Sequence, residues 1–305
     1  MNILDIQSVT KTYATHMALD NVSIQVPKGS IFGLLGPNGA GKTSLIRIVT
    51  QITQPDSGII LFNGNPLASS HIQQIGYLPE ERGLYKKMEV GEQLLYFAQL
   101  KGLSRHEAIE KLKIWVEKFE IKSWWKKKVE ELSKGMQQKI QFIATVVHQP
   151  QLIILDEPFS GFDPINANLI TSEILELKAQ GSTIIFSTHR MESVEQLCDH
   201  IALIHQSKKV LDGSVAEIKN RYRSHVFEIE HSIQTLSLPL GFELINSKTT
   251  LHQSVISSIK ISPNSSTNEL LALLLQQVTI IRFEEKLPSM SDIFIAAVTP
   301  NTILG

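Results

Sequence analysis

Apolar residues fall into short blocks whose spacing changes along the chain. Residues 2–9 and 19–26 alternate loosely between apolar and polar, as in strands of a half-buried sheet, and residues 30–35 form a short apolar run suited to a buried strand. Residues 89–148 are rich in helix formers, with apolar positions at helical spacing. Short apolar strands and helical stretches alternate after that. The pattern predicts an α/β fold whose parallel sheet is interrupted by a helical insertion.

The remaining blocks predict the other elements of the first 222 residues. They are strands at 58–64, 75–79 and 151–155, helices at 44–49 and 165–179, a strand at 182–187, and two strands within 200–212. Beyond about residue 224, Ser, Thr, Asn and Gln increase and prolines interrupt the pattern. The elements predicted there are strands at 225–231 and within 250–262, a helix at 267–277, a strand at 278–284 and a helix at 291–298. We therefore expect two domains, residues 1–222 with a helical subdomain at about 88–148, and a small α/β domain at 223–305.

Residues 36–43, Gly-Pro-Asn-Gly-Ala-Gly-Lys-Thr, match the phosphate-binding pattern G-x-x-x-x-G-K-[ST] between a predicted strand and a predicted helix. A helix N-terminus offers unpaired N–H groups and a positive dipole end to phosphates, and glycines let the loop N–H groups point inward. Lys42 would bridge the β- and γ-phosphates, and the Thr43 hydroxyl would contact Mg²⁺. A glycine-rich turn with a chance Lys-Thr pair is the alternative, which the flanking elements disfavour. The residues predicted to surround the nucleotide here are Gly36, Asn38, Gly39, Ala40, Gly41, Lys42, Thr43 and Ser44.

Two acids and a histidine follow predicted strands. The apolar strand at 151–155 ends in Asp156 and Glu157, as expected of a strand buried on both faces of a parallel sheet. In a P-loop protein the acid at the strand end holds the Mg²⁺ shell, and the next acid can orient and deprotonate the attacking water. A strand that merely stops at a charged turn is the alternative. His189 lies just past the strand at 182–187, where open α/β sheets bind ligands.

Three other features allow both a structural and a functional interpretation. Tyr13 could stack on a nucleotide base or belong to the core, and the local sequence does not decide between them. Residues 122–128 combine lysines with tryptophans, as nucleic-acid binders do, but two acids follow and the chain has no net positive charge. We therefore favour a solvated helix with anchoring tryptophans. Ser133 is a plausible helix N-cap.

Composition excludes several classes of protein. The 305 residues are 42% hydrophobic and 19% charged, with a net charge of −1, which is an ordinary globular composition without an electrostatic case for nucleic acid. Cys198 is the only cysteine, so no intrachain disulfide can form, and a reducing compartment fits. The start of the chain shows no signal peptide. No apolar run is long enough to span a membrane. If the protein acts at a membrane, we expect another subunit to cross it.

Taken in order, these motifs resemble those of the ATPase subunit of an ATP-binding cassette (ABC) transporter over residues 1–220. The tail resembles the small C-terminal domain that some such subunits carry. The positions that match the family's motifs are Tyr13 (adenine stacking), residues 36–43 (Walker A), residues 132–136 (signature), Asp156 and Glu157 (Walker B aspartate and catalytic glutamate), residues 160–163 (D-loop, ending in Asp163) and His189 (switch histidine).

Two motifs depart from the family pattern. The signature, usually Leu-Ser-Gly-Gly-Gln, keeps Ser133 and Gly135, which would meet the γ-phosphate, but has Lys and Met at its third and fifth positions. Where the family usually has Gln, after the strand at 75–79, this chain has Glu80. If Glu80 faces inward it would join Thr43 as a metal ligand beside the Walker B aspartate. If it faces outward it would pair with a base such as Arg82 or with the membrane subunit.

The resemblance implies Mg²⁺-dependent ATP hydrolysis by two cassettes, most simply a homodimer, that close head to tail around two ATP molecules. His189 would steady the γ-phosphate, and Ser133 of the opposite cassette would complete each site. The dimer would power transport through a separate transmembrane permease subunit, which would hold it peripherally on the cytoplasmic face of the cell membrane. One alternative is a non-transport cassette ATPase acting on a ribosome, DNA or another protein. Another is an ATP-binding regulator without turnover, which would not need Glu157.

Overall fold

The computed structural model describes residues 1–81, 83–159, 163–232, 235–250 and 254–299. The chain divides into two compact units, Met1–Val215 and Ala216–Gly305. This division lies one short helix before the boundary proposed from the sequence. None of the helices in the described ranges has both the length and the apolar character needed to cross a membrane.

The first unit contains ten strands and most of the helices among the described residues. The strands are β1 (Asn2–Tyr13), β2 (His16–Pro27), β3 (Ile31–Leu35), β4 (Ser57–Phe62), β5 (Asn65–Pro66), β6 (Ile75–Leu78), β7 (Leu152–Asp156), β8 (Thr183–Thr188), β9 (His200–His205) and β10 (Lys208–Ser214). The helices are α1 (Lys42–Val49), α2 (Val90–Leu100), α3 (Arg105–Lys118), α4 (Lys134–Val146), α5 (Pro164–Ala179) and α6 (Met191–Leu197), with α7 (Val215–Arg221) at the division. The predicted elements are confirmed in place, whereas β5, α6 and α7 were not predicted.

Six strands form the central sheet, in the order β10-β9-β3-β8-β7-β6. All neighbours pair in parallel except β10, which is antiparallel to β9. Every residue of β3, β7 and β8 is buried, as expected for parallel strands covered on both faces. Because β3, β6, β7 and β8 run in the same direction, their carboxyl ends meet along one edge of the sheet.

An antiparallel sheet in the order β2-β1-β4-β5 covers one side of the unit. Its apolar side chains, such as Ile6, Ile24 and Phe62, join one cluster with residues of β3, β7, β8 and β9. Helix α1 enters the same cluster through Leu45, Ile46, Ile48 and Val49. Burial of each such side chain contributes about 1.5–3 kcal/mol. The loop that precedes α1 therefore rests on a rigid, packed base.

The helical insertion confirms the prediction for residues 89–148. Helices α2, α3 and α4 lie between β6 and β7, which are neighbours in the sheet. The prediction of a solvated helix at 122–128 is wrong, because residues 122–124 form a single 3-10 turn. The following residues run beside the start of α2, where the Val90 N–H donates to the Lys127 carbonyl at 2.9 Å. The Trp125 ring packs on Gly91 so closely that a Cβ there would overlap it.

The second unit is a small α/β domain. Its elements are β11 (Val226–Ser232), β12 (Phe242–Thr249), β13 (Ser254–Ile261), α8 (Thr267–Leu275), β14 (Ile280–Glu285) and α9 (Met290–Val298). The antiparallel strands take the order β12-β13-β11-β14, and α8 packs on them through Leu270 and Leu274. Of the strands predicted within 250–262, β13 lies there, whereas β12 lies wholly before that range and was not predicted. Nearly all of β12 is exposed, so it carries no alternating pattern to predict it from.

Candidate active site

A cavity of about 290 Å³ opens at the edge where the parallel strands end. It brings together segments that lie far apart in the sequence. Its lining residues are Tyr13, His16, Ala18, Asn38, Gly39, Gly41, Lys42, Thr43, Ser44, Glu80, Asp156 and Glu157. Sequence reasoning missed His16 and Ala18, whose only signal is that they follow Tyr13 across the turn between β1 and β2. The predicted residues Gly36 and Ala40 do not line the cavity.

The loop before α1 is held between two strands by close backbone contacts. Gly36 and Gly41 have φ of 148° and 116°, in the region that favours glycine. A Cβ at Gly36 would overlap the carbonyl oxygen of Ile204, and one at Gly41 would overlap that of Ala18. Helix α1 begins without a side-chain cap, so its first N–H groups are left for an anion.

Lys42 is the cation of the cavity. Lys42 is 7% exposed, and its Nζ donates to the carbonyl oxygens of Gly36 at 2.8 Å and Pro37 at 3.1 Å. Burial lowers the pKa of Lys42, and the charges of Glu157, Asp156 and Glu80 oppose that shift. The ammonium group therefore lies beside the phosphate-binding loop with three carboxylates in its field.

The side-chain oxygen atoms near Lys42 are of the kind that Mg²⁺ takes as ligands. Thr43, Glu80 and Asp156 line the same cavity and offer hydroxyl and carboxylate oxygens. No cluster of three or more His, Cys, Asp or Glu side chains in the described ranges would hold a metal alone. Mg²⁺ does not need one, because it is usually held by one or two carboxylates with waters and substrate phosphates. Glu80 lines the cavity, and its alternative partner Arg82 lies outside the described residues.

Glu157 is fixed by the end of β8. Its Oε1 accepts from the His189 N–H at 3.0 Å and lies 2.6 Å from His189 Nδ1. Its Oε2 accepts from the Thr188 hydroxyl at 3.3 Å. His189 is exposed and is not among the cavity-lining residues. In this structure His189 contacts the site through the carboxylate of Glu157, and its contact with a γ-phosphate stays a prediction.

Tyr13 lines the same cavity. The residue is 39% exposed, so it does not belong to the core. Lys11 Nζ lies 5.4 Å from the centre of its ring and also pairs with Asp56 at 2.6 Å. The ring is therefore held at the cavity mouth with exposed surface, as stacking on a base requires.

Ser133, Gly135 and Asp163, predicted from the signature and the D-loop, do not line this cavity. Ser133 is the N-cap of α4, and its Oγ accepts from the Met136 N–H at 3.3 Å, which confirms the predicted cap. In the described ranges, outside its chain neighbours and its own helix backbone, no atom lies within 4 Å of a Cβ built on Gly135. Asp163 caps α5 by accepting from the Asn166 N–H at 2.9 Å. Residues 160–162 of the predicted D-loop lie outside the described residues.

Comparisons with known proteins agree with this geometry. A family described as "ABC transporter" matches residues 19–160, and one described as "ATP-binding protein DrrA1-3-like, C-terminal domain" matches residues 213–298. A third, "AAA domain, putative AbiEii toxin, Type IV TA system", matches residues 128–195.

Relatives of known sequence or structure cover most of the chain. "Uncharacterized ABC transporter ATP-binding protein YhaQ" of Bacillus subtilis is 43% identical over 97% of this chain and 98% of its own length. "Nod factor export ATP-binding protein I" of Cupriavidus metallidurans is 34% identical over 71% of this chain and 72% of its own. A solved structure titled "Structure of ATP binding subunit of ABC transporter" superposes with a TM-score of 0.68 at 30% identity, covering 72% of this chain and 93% of that one.

Proposed function

Since this chain belongs to the ATP-binding proteins of ABC transporters, we propose that it hydrolyses Mg²⁺-ATP as one of two cassettes that drive a separate membrane subunit. One observation carries the proposal. A single cavity brings together a buried lysine, an uncapped helix start and two adjacent carboxylates, Asp156 and Glu157, from distant parts of the sequence. These are the groups that bind a triphosphate and activate water for attack on it.

The first task of these groups is to bind the nucleotide. Lys42 and the first N–H groups of α1 offset the negative charge of the phosphates. Tyr13 offers its ring to the base. Thr43 and Asp156, with Glu80 beside them, would hold Mg²⁺, which neutralises charge on the phosphate oxygens when it is bound.

The second task is to activate water. Glu157 is the general base, because its carboxylate lines the cavity and can accept a proton from water placed beside the γ-phosphate. His189 and Thr188 position that carboxylate through their hydrogen bonds to its two oxygens. His189 therefore acts here as a positioning residue.

A second cassette supplies the side of the site that one chain lacks. Ser133 and Gly135 stand at the start of α4, outside the chain's own cavity, and the space around Gly135 is open. A helix start with room for a close approach suits the phosphates of ATP bound to another cassette. In a head-to-tail, two-fold homodimer, each cassette completes the nucleotide site of the other.

A second, mostly apolar cavity offers a docking place for the membrane subunit. Its volume is about 340 Å³, and it lies between the sheet and the helical insertion. Apolar side chains from both parts line it, among them Ile52, Ile72, Ile75, Leu84, Phe97 and Leu100. Pro79 and Gly83 also line it, on either side of the segment that places Glu80 in the nucleotide cavity. A helix docked here would contact the segment next to the ATP site, and would hold the protein peripherally on the inner face of the membrane.

Nucleotide titration of Lys42→Ala tests the proposal. Loss of the ammonium group should weaken binding of a fluorescent ATP analogue by at least about tenfold. Lys28→Ala is the matched control, because Lys28 is exposed and lies outside the cavity. Thermal melting should show both variants folded. Unchanged affinity in folded Lys42→Ala would contradict the assignment of the phosphate site.

A further inference from the structure

Five exposed lysines lie on two neighbouring segments, one just before the helical insertion and one inside it. We call Lys86, Lys87, Lys126, Lys127 and Lys128 the lysine patch. The segments pair side by side, since the Val90 N–H donates to the Lys127 carbonyl at 2.9 Å and the Glu130 N–H donates to the Lys86 carbonyl at 3.0 Å. The fold thus brings charges that are about 40 residues apart in the sequence together on one part of the surface.

The lysine patch lacks the carboxylate partners that other lysines have. Within the part of the chain that the structure describes, none of its five side chains makes an ion pair or a hydrogen bond. Elsewhere, Lys11, Lys113 and Lys118 pair with carboxylates at 2.6, 2.6 and 2.7 Å. Neighbouring acids, including Glu130 and Glu131, reduce the positive charge without pairing with it. The ammonium groups are therefore free to meet an external anion.

Exposed aromatic side chains border the lysine patch. Tyr85, next to Lys86, is 54% exposed, and Tyr96 on α2 is 40% exposed. Their ring centres lie 6.1 Å apart, and Tyr85 also stacks on Phe97 at 6.1 Å. Tyrosine and lysine side chains combine an apolar body with a polar tip, the combination found where proteins meet the membrane–water interface.

We propose that the lysine patch binds the anionic lipid headgroups of the membrane surface. This orientation rests on the proposed function, because Leu84 and Phe97 line the cavity assigned to the membrane subunit and Tyr85 stacks on Phe97. Docking there would bring the patch to the membrane side, where each lysine adds to attraction by anionic lipid. Single-stranded nucleic acid would need bases stacked on open aromatic rings along a basic groove. Here the Tyr85 ring already stacks on Phe97, so it is not open to a base.

Vesicle co-sedimentation of the full chain tests the proposal without any membrane subunit. The patch variant carries Lys86→Gln, Lys87→Gln, Lys126→Gln, Lys127→Gln and Lys128→Gln. The control variant, which loses the same charge from exposed lysines elsewhere, carries Lys28→Gln, Lys113→Gln, Lys208→Gln, Lys248→Gln and Lys286→Gln. Vesicles contain phosphatidylcholine alone or with about one-third phosphatidylglycerol. Thermal melting confirms that each protein is folded.

We expect the wild-type and control proteins to bind the anionic vesicles and not the neutral ones. The patch variant should partition onto anionic vesicles at least about tenfold more weakly, and salt should weaken wild-type binding. Absence of wild-type binding, or an equal loss in both variants, would overturn the proposal. So would tighter wild-type binding to a random-sequence DNA oligonucleotide that the patch variant loses. Since the vesicles carry no permease, these outcomes are independent of whether the chain drives transport.

Discussion

At the scale of single residues, Glu157 shows how the site fixes a general base. Its φ of 49° is unusual for a residue other than glycine and costs of order 1–3 kcal/mol. The Glu157 N–H donates to the Ser187 carbonyl at 2.9 Å, and its carboxylate accepts from His189 and Thr188. The end of β8 therefore holds the strained backbone and aims the carboxylate into the cavity.

The charged carboxylate of Asp156 should bind metal at the expense of the stability of the nucleotide-free protein. The residue is 3% exposed, and burial raises the pKa of its carboxyl, with the charges of Glu80 and Glu157 adding to the shift. A carboxyl whose pKa rises on folding favours the fold below that pKa and loses the contribution as pH rises through it. We expect Asp156→Asn to raise the melting temperature of the nucleotide-free protein by a few degrees at neutral pH. The gain should shrink as pH falls and Asp156 takes up a proton.

Melting curves recorded at several pH values without nucleotide check this expectation. Asp163→Asn is the control, because hydrogen bonds from Asn166 lower the pKa of exposed Asp163. This pKa shift is opposite in direction to that of Asp156. That substitution should give no gain at neutral pH. A lower melting temperature for Asp156→Asn at neutral pH would show that the charged carboxylate stabilises the fold.

Glu80 should change the magnesium requirement of the reaction. A carboxylate is a stronger Mg²⁺ ligand than the amide that replaces it in Glu80→Gln. We expect that variant to need several times more free Mg²⁺ for half-maximal ATPase activity, while its metal-free nucleotide binding stays equal or improves. Glu81→Gln, at the exposed neighbouring position, is the control. Superimposable curves of rate against free Mg²⁺ for Glu80→Gln and wild type would place Glu80 outside the metal's reach.

At the scale of elements, the helices and strands that could be predicted from the sequence were the long ones and the fully buried ones. Strands β3 and β7 were predicted because a fully buried strand has a continuous apolar run. Helices α6 and α7 are seven residues each, too short to show a helical period. The phosphate loop was predicted because phosphate chemistry restricts residue types at fixed spacing. The contact between Glu157 and His189 could not be predicted from spacing, because it depends on β7 and β8 being neighbours in the sheet.

The start of α4 gives an element-scale test of the second cassette. Among the described residues, apart from its chain neighbours and its own helix backbone, no atom lies within 4 Å of a Cβ built on Gly135. Alanine is also the better helix former, so Gly135→Ala should keep or slightly raise the melting temperature. Its ATPase rate should nevertheless fall by at least about tenfold, because the methyl group would crowd phosphates bound to the partner cassette. Wild-type turnover in this variant would mean that nothing approaches Gly135 during the reaction.

At the scale of the whole molecule, the two units should separate in function. Every cavity-lining residue of the nucleotide site lies in the first unit. We expect a chain ending at residue 222, which keeps α7 intact, to fold and to bind ATP as the full chain does. Circular dichroism melting and titration with a fluorescent ATP analogue check this. An insoluble product, or one that fails to bind nucleotide, would show that residues 223–305 belong to the core of the cassette.

The most direct test of the account is the substitution Glu157→Gln, assayed for both turnover and mass. The amide keeps the size of the side chain but cannot accept the proton from water, so turnover should fall by about 10²–10⁴-fold. ATP should still bind, and light scattering with Mg²⁺-ATP should show a stable species of twice the 34.1 kDa chain mass. Glu192→Gln, at an exposed position in α6, should behave like the wild type. Full turnover by Glu157→Gln, with no ATP-dependent dimer, would contradict the account.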